Sequence, residues 1–201
     1  MKKIRPRTKP PEVRREEIMD AAQRLFLARG VASTSIDEIA AGAGVAKGTV
    51  YLYFASRQAL LVALGERFAE KHLARIKAAI TARSEPDWAG KLAAWAEASV
   101  AFYLDSIRLH EMLFHEARAP TREGLVDNLI IDHLSWLLKA GAAEGAWSID
   151  DARFTAVFLF SGMHGIVDDA YLKEKRIPRG RLVKRLQSVC FRTVGLHSDD
   201  S

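Results

Sequence analysis

Apolar residues recur along this chain every three or four positions, the period of a helix that buries one face. Ile18, Ala21, Ala22, Leu25 and Phe26 form the first such stripe. Pro11 and Glu12 suit its start and Gly30 its end. Ser35 and Glu38 are spaced as a capping box, and Ile36, Ile39 and Ala40 give the short helix behind them one buried face. Gly42 and Gly44 stop that helix and permit a sharp turn, with Val45 filling the gap to the next one. A third helix, from about Lys47 to Tyr53, is predicted to bury Val50 and, just beyond it, Phe54. Its other face offers Lys47, Gly48, Thr49, Tyr51 and Tyr53. Two short helices around a glycine turn, one held by the other, make a helix-turn-helix.

Longer stripes follow. From the N-cap Ser56 a helix is predicted to run unbroken to about Arg83, burying Leu60, Leu61, Ala63, Leu64, Phe68, Leu73, Ile76 and Ile80. Its start would pack on the helix-turn-helix and its end on the rest, which makes it the expected coupling element. Ser84-Glu85-Pro86-Asp87 is the clearest break. A helix from about Pro86 to Leu104 comes next, then a shorter helical stretch to about Glu116 with Met112, Leu113 and Phe114 apolar. Pro120 opens another, carrying Leu125, Leu129, Ile130, Leu134, Leu137 and Leu138 and ending at Gly141 or Gly145. Ser148 is the expected cap of a helix reaching about Lys173 that is apolar on more than one side, so it needs several partners. Ser161, Gly162 and Gly165 give it a patch where another helix can approach closely. The last stripe, Leu182, Val183, Leu186, Val189, Cys190 and Val194, begins after Pro178 and stops at Gly195. The fold class read from this pattern is all-α, with about nine helices.

Charge sharpens the picture. The chain has 201 residues and a net charge of +5. Residues 1–60 hold eleven Lys and Arg against six Asp and Glu, so the whole excess lies with the helix-turn-helix, as a domain that meets phosphates requires. Residues 1–11, with Lys2, Lys3, Arg5, Arg7 and Lys9 among prolines, read as a flexible basic arm able to track phosphate or enter a minor groove. One cysteine, Cys190, allows no disulfide within the chain and suits a reducing cytoplasm. No apolar run is long enough to span a membrane, and no secretory leader is read at the start.

The stretch Thr34 to Leu60 resembles the DNA-binding signature of the TetR family of transcriptional regulators. The matching residues are Thr34, Ile39-Ala40, Gly44-Val45, Lys47-Gly48-Thr49, Tyr51, Tyr53-Phe54 and Ala59-Leu60. The resemblance covers the first quarter to third of the chain. It implies residues 12–58 as the DNA-binding domain, residues 59–196 as a helical regulatory, ligand-binding and dimerisation domain, and 197–201 as a loose tail. It also implies that the helix from Lys47 to Tyr53 enters the major groove of double-stranded DNA. Lys47, Gly48, Thr49 and Leu52 would face base edges, and Ser35, Tyr51, Tyr53 and Arg57 would hold phosphates. Two departures stand out: Ala46 replaces the Ser or Thr that often caps the recognition helix, and Asp37 faces outward where an acid repels phosphate.

The same resemblance implies a homodimer through the last two helices (about 149–173 and 178–194), pairing as a four-helix bundle. It implies a palindromic operator and a repressor released by a small apolar or aromatic effector. Trp95, Phe102, Tyr103, Met112, Phe114, Trp136, Phe158, Met163 and His164 are the candidate pocket residues. A regulator without a ligand, controlled constitutively or by a partner, is the alternative. An enzyme is the remote one, since no nucleophile elbow, phosphate loop or HExxH motif is present. His110, Glu111, His115 and Glu116 are close in sequence, but only Glu111 and His115 share a face, so no metal or other cofactor is expected. Asp168 and Asp169 are read as solvated or interface acids in preference to a counter-charge for a cationic ligand.

Overall fold

The computed structural model describes residues 9–116, 128–173 and 178–196. Among them are nine α-helices, one π-helical turn and no strand. In order these are α1 (Pro11–Arg29), α2 (Ile36–Gly42), α3 (Lys47–Tyr53), α4 (Arg57–Thr81), α5 (Trp88–Asp105), α6 (Ile107–His110) with the π turn Glu111–Glu116 behind it, α7 (Leu129–Ala143), α8 (Ala152–Lys173) and α9 (Arg179–Thr193). Residues 1–8 of the expected arm, the expected helix start at Pro120 with Leu125, the side chains of His115 and Glu116, and the tail 197–201 lie outside the described residues.

The chain divides into two units, Met1–Arg67 with Arg108–Ala119, and Phe68–Ile107 with Pro120–Ser201. The first unit buries Ile18, Met19, Ala21, Ala22 and Phe26 of α1 with Ile39 and Ala40 of α2, Val50 of α3, and Leu60, Leu61 and Leu64 of α4. Its boundary falls later than the expected residue 58 because α1 and α4 are clasped beyond it. The buried Arg67 guanidinium donates to Glu16 at 2.8 Å, Asp20 at 2.7 Å and Gln23 at 2.8 Å, all on α1. Arg108 reaches back to the Leu27 carbonyl at 3.2 Å, which places the segment behind α5 in this unit too.

The second unit packs α5 on α9 and α7 on α8 around one core. Leu92, Trp95 and Tyr103 of α5, Leu134 and Leu138 of α7, Leu159 and Met163 of α8, and Leu186 and Cys190 of α9 lie inside it. Two expected helix starts move. Helix α5 starts at Trp88 rather than Pro86, because the Asp87 carboxylate accepts from the Gly90 N–H at 2.7 Å and caps it. Helix α8 starts at Ala152, since Asp151, not Ser148, takes the cap by accepting from the Phe154 N–H at 2.9 Å. Asn128 caps α7. Past its far end Gly145 takes the left-handed turn, with φ of 74°, and the Ala146 N–H bonds the Gly141 carbonyl at 2.9 Å. Gly141 is instead inside α7, under the Trp147 ring.

That ring is fixed by its own N–H, which donates to the Leu138 carbonyl at 2.8 Å. A Cβ on Gly141 would stand 2.1 Å from Trp147 Cζ2. Gly141→Ala should therefore destabilise the protein by about 1–3 kcal/mol in urea unfolding, despite the better helix propensity of alanine. A neutral or stabilising result would mean that the Trp147 contact is not held.

His72 of α4 is buried and stacks on Phe102 of α5, ring centres 4.5 Å apart and planes 4° from parallel. Burial, then the neighbouring His164 and Arg75, push its pKa from 6.5 down to about 3. The unfolded chain binds this proton between those values and the folded chain does not, so stability rises with pH across that window and is lost on acidification. About 1 kcal/mol should go with each pH unit below about 6. His72→Leu should flatten the slope of urea stability against pH, and an unchanged slope would remove His72 as its source.

Candidate nucleic-acid interface

Ser35 and Glu38 form the capping box that the spacing predicts. The Ser35 oxygen accepts from the Glu38 N–H at 3.2 Å, and the Glu38 carboxylate accepts from the Ser35 N–H at 2.8 Å and its hydroxyl at 2.9 Å. These bonds hold the Glu38 carboxyl below its usual range. After α2 the chain turns through Gly44, at φ of 66°, a conformation that needs glycine. The Val45 N–H closes the turn on the Ala40 carbonyl at 2.9 Å. Helix α3 then starts at Lys47 with no side-chain cap, because Ala46 has nothing to offer; only a backbone bond, from the Thr49 N–H to the Ala46 carbonyl, closes its first turn.

A seven-residue helix without a cap is marginal by itself. Val50 is fully buried against the rest of the unit, and Phe54 packs just past the C-terminus with Arg15 of α1 over its ring at 5.3 Å. Burying that side forces the opposite one outward. Lys47, Gly48, Tyr51 and Leu52 are exposed, Leu52 at 84%, while Thr49 and Tyr53 are half-buried. Open space lies where a Gly48 side chain would stand, so nothing inside the molecule demands a glycine there. Its backbone is bare to an approaching duplex.

Other expected contacts have partners within the chain. The Ser35 hydroxyl is occupied by its capping box. The Arg57 guanidinium donates to the Val31 carbonyl at 3.2 Å. Lys9, the described part of the basic arm, pairs with Glu17. Asp37 is exposed, as read, but Lys47 Nζ sits 2.8 Å from its carboxylate and is raised in pKa by it. The sequence showed both residues; the turn that brings α2 and α3 side by side is what makes them a pair.

The pocket candidates scatter. Trp95, Phe102, Tyr103 and Met163 are buried in the second unit, and His164 meets Tyr103 edge-on at 5.0 Å. Met112 and Phe114 fall in the first unit. Trp136 is 57% exposed and Phe158 55%, so neither lines the interior; each occupies the outer side of a helix whose other side is core. Asp168, read as a solvated or interface acid, accepts from the Tyr103 hydroxyl at 2.5 Å. His72 and Ser99, which the apolar stripes passed over as ligand residues, are also in this interior. Among the described residues no group of three or more His, Cys, Asp or Glu is placed to hold a metal ion, and no helix is long and apolar enough to cross a membrane.

Residues 18–64 match the family model described as bacterial regulatory proteins, tetR family. The chain is 37% identical over 78 residues to the HTH-type transcriptional regulator YerO of Bacillus subtilis, which is 39% of this chain and 25% of that protein. The matched stretches span only about a quarter of the length of such curated relatives. Among solved structures, the fatty acid degradation regulator FadR from Bacillus halodurans is similar over 96% of this chain and 100% of its own, with a TM-score of 0.72 and 23% identity. RolR in complex with resorcinol is similar over 92% of this chain and 89% of its own, with a TM-score of 0.68 and 22% identity. At those identities the likeness establishes the fold.

Asp37 neutralises a lysine on the outward face and adds its own repulsion toward phosphate. Asp37→Asn should tighten binding to random duplex several-fold at low salt and steepen the slope of log affinity against log salt by about one. Fluorescence anisotropy across a salt series measures both, and an unaltered slope would show that Lys47 is not restrained by this pair.

Proposed function

We propose, from the match of residues 18–64 to the tetR family of bacterial regulatory proteins, that the chain is a regulator of that family and works as a homodimeric repressor. Two α3 helices, one per subunit, would read successive major grooves of a palindromic operator about 34–36 Å apart. Entry of a small aromatic effector into the second unit would favour a form with the wrong spacing, for which a coupling of about 1–3 kcal/mol is enough. Such a regulator acts in the cytoplasm, where bacterial DNA is.

The observation that carries the DNA-binding part is the outward face of α3 inside a matched tetR domain. Lys47, Gly48, Thr49 and Leu52 are the proposed base readers, with Tyr51 and Tyr53 on phosphate. The dimer is supported by α8. Phe154, Phe158 and Leu172 lie exposed on it at i, i+4 and i+18, one stripe of a helix whose opposite side is core. Gly162 and Gly165 lie along the same stripe, with open space where side chains would stand, so a second backbone can come close. Beside them an open groove of about 640 Å³ runs between α8 and α9, lined in part by Ile166, Leu182 and Val189. An exposed apolar stripe of this kind is a usual mark of an interface. A small-molecule effector is supported by the resorcinol held by RolR, a protein of this fold.

Selection of duplexes from a random library by the wild-type protein would supply the operator. Lys47→Ala and Tyr51→Ala should each weaken binding to that operator about tenfold, with unfolding unchanged. Phe158→Glu should give a monomer by light scattering and lose the operator. Undiminished affinity in both α3 variants, or a monomeric wild type, would defeat the proposal.

A further inference from the structure

We propose that the effector is a small uncharged aromatic molecule carrying a hydroxyl group, bound at a buried polar ladder on α5 of the second unit. The proposal rests on the effector reading above and gives it a chemistry.

Trp95, Ser99 and Tyr103 follow one another at i, i+4 and i+8, so they share one stripe of α5. All three are buried, Trp95 and Ser99 completely. The Trp95 indole N–H and the Ser99 hydroxyl have no hydrogen-bond partner among the described residues. Nor does Nε2 of His72, which is 4% exposed and reaches the ladder from α4 by stacking on Phe102, the residue next to Tyr103. From α8, Asp168 accepts from the Tyr103 hydroxyl. Buried polar atoms are nearly always paired, because water cannot repay a bond the protein leaves unmade. Three unpaired atoms on two adjoining helices are therefore positions for polar groups of something that enters. The flanking rings of Trp95, Phe102 and Tyr103 favour an aromatic body.

Charge narrows the class. Among the described residues of this unit Lys91 is the one buried cation, and it is committed to Glu85 at 2.5 Å and to the face of Trp88 at 4.3 Å. His72 stays neutral at physiological pH. A carboxylate inside would meet no counter-charge. A hydrocarbon would leave the ladder unpaired. A phenol satisfies both demands: its hydroxyl donates to a neutral imidazole or serine oxygen and accepts from the serine or indole.

Calorimetry and thermal shift on the full-length protein with phenol, toluene and benzoate test this. Phenol should bind at least tenfold more tightly than either of the others and raise Tm. Ser99→Ala and His72→Leu should each weaken phenol about fivefold or more and leave toluene unchanged or tighter. Toluene or benzoate binding as well as phenol overturns the proposal. So does phenol affinity that both variants preserve, or no phenol binding at all. Phenol bound as expected without displacing the operator supports this ligand chemistry while refuting release, so the two readings fail separately.

Discussion

Arg67 is the fastening on which the first unit depends. Three helices, two of them only seven residues long, bury little apolar surface, and the unit needs the first turns of α4 to close its core. Leu60, Leu61 and Leu64 supply that area, but apolar contact alone would let α4 slide along α1. The guanidinium fixes the register, since its fork must meet Glu16, Asp20 and Gln23 on successive turns. A buried charge is costly to bring out of water, and removing either side of such a clasp strands the other. What it yields is geometry: α1 and α4 are set, α2 packs on α1, α3 packs on α2, and the outward face of α3 is fixed in turn.

That chain of support explains why α3, the helix proposed to read DNA, tolerates weak local signals. Helix α3 has no cap, a glycine in its first turn and only one fully buried residue. None of this would sustain a helix in isolation. Held from behind by Val50 and closed by Phe54, it can spend its remaining positions on recognition. The Asp37–Lys47 pair adds almost nothing to folding at such exposure. Its proposed effect lies in the field offered to DNA, where one cation of the basic unit is tempered by an adjacent acid.

Local rules made much of this legible. The capping box at Ser35, the turn at Gly44, the cap at Ser56, where the Ala59 N–H donates to Oγ at 3.0 Å, and the stripes of α1 and α4 all follow from spacing within a few residues. Where two cap candidates stood close together, sequence picked the wrong one: the carboxylates of Asp87 and Asp151 outcompete Pro86 and Ser148 as helix starts, being strong acceptors at the positive end of the helix dipole. Long-range pairs were invisible. Nothing in the order of residues says that Arg67 meets Glu16, that Tyr103 meets Asp168, or that Trp147 lies across Gly141. Trp136 and Phe158, expected in a pocket, stand exposed on this chain because periodicity places a residue on a face without saying which face is inward. On a helix as apolar as α8, both faces look alike.

The chemistry of the second unit also limits what kind of signal it could take in the proposed regulatory role. Cys190 is completely buried in the core, and burial pushes its thiol up to about 12. At neutral pH almost none of it is thiolate, the form that oxidants and electrophiles attack, so this cysteine is not poised as a redox trigger. His72 is closed to protonation for the same reason with the opposite sign: its imidazole stays neutral far below physiological pH. Cys190 and His72, of two types that commonly turn an environmental change into a charge change, are thus each held in one state. Polar atoms remain in that core with bonding capacity to offer and no charge to change. On the reading proposed above, such a domain would answer to a molecule that fits it and bonds to it, and binding, in preference to thiol oxidation or the protonation of His72, is the input that its chemistry admits.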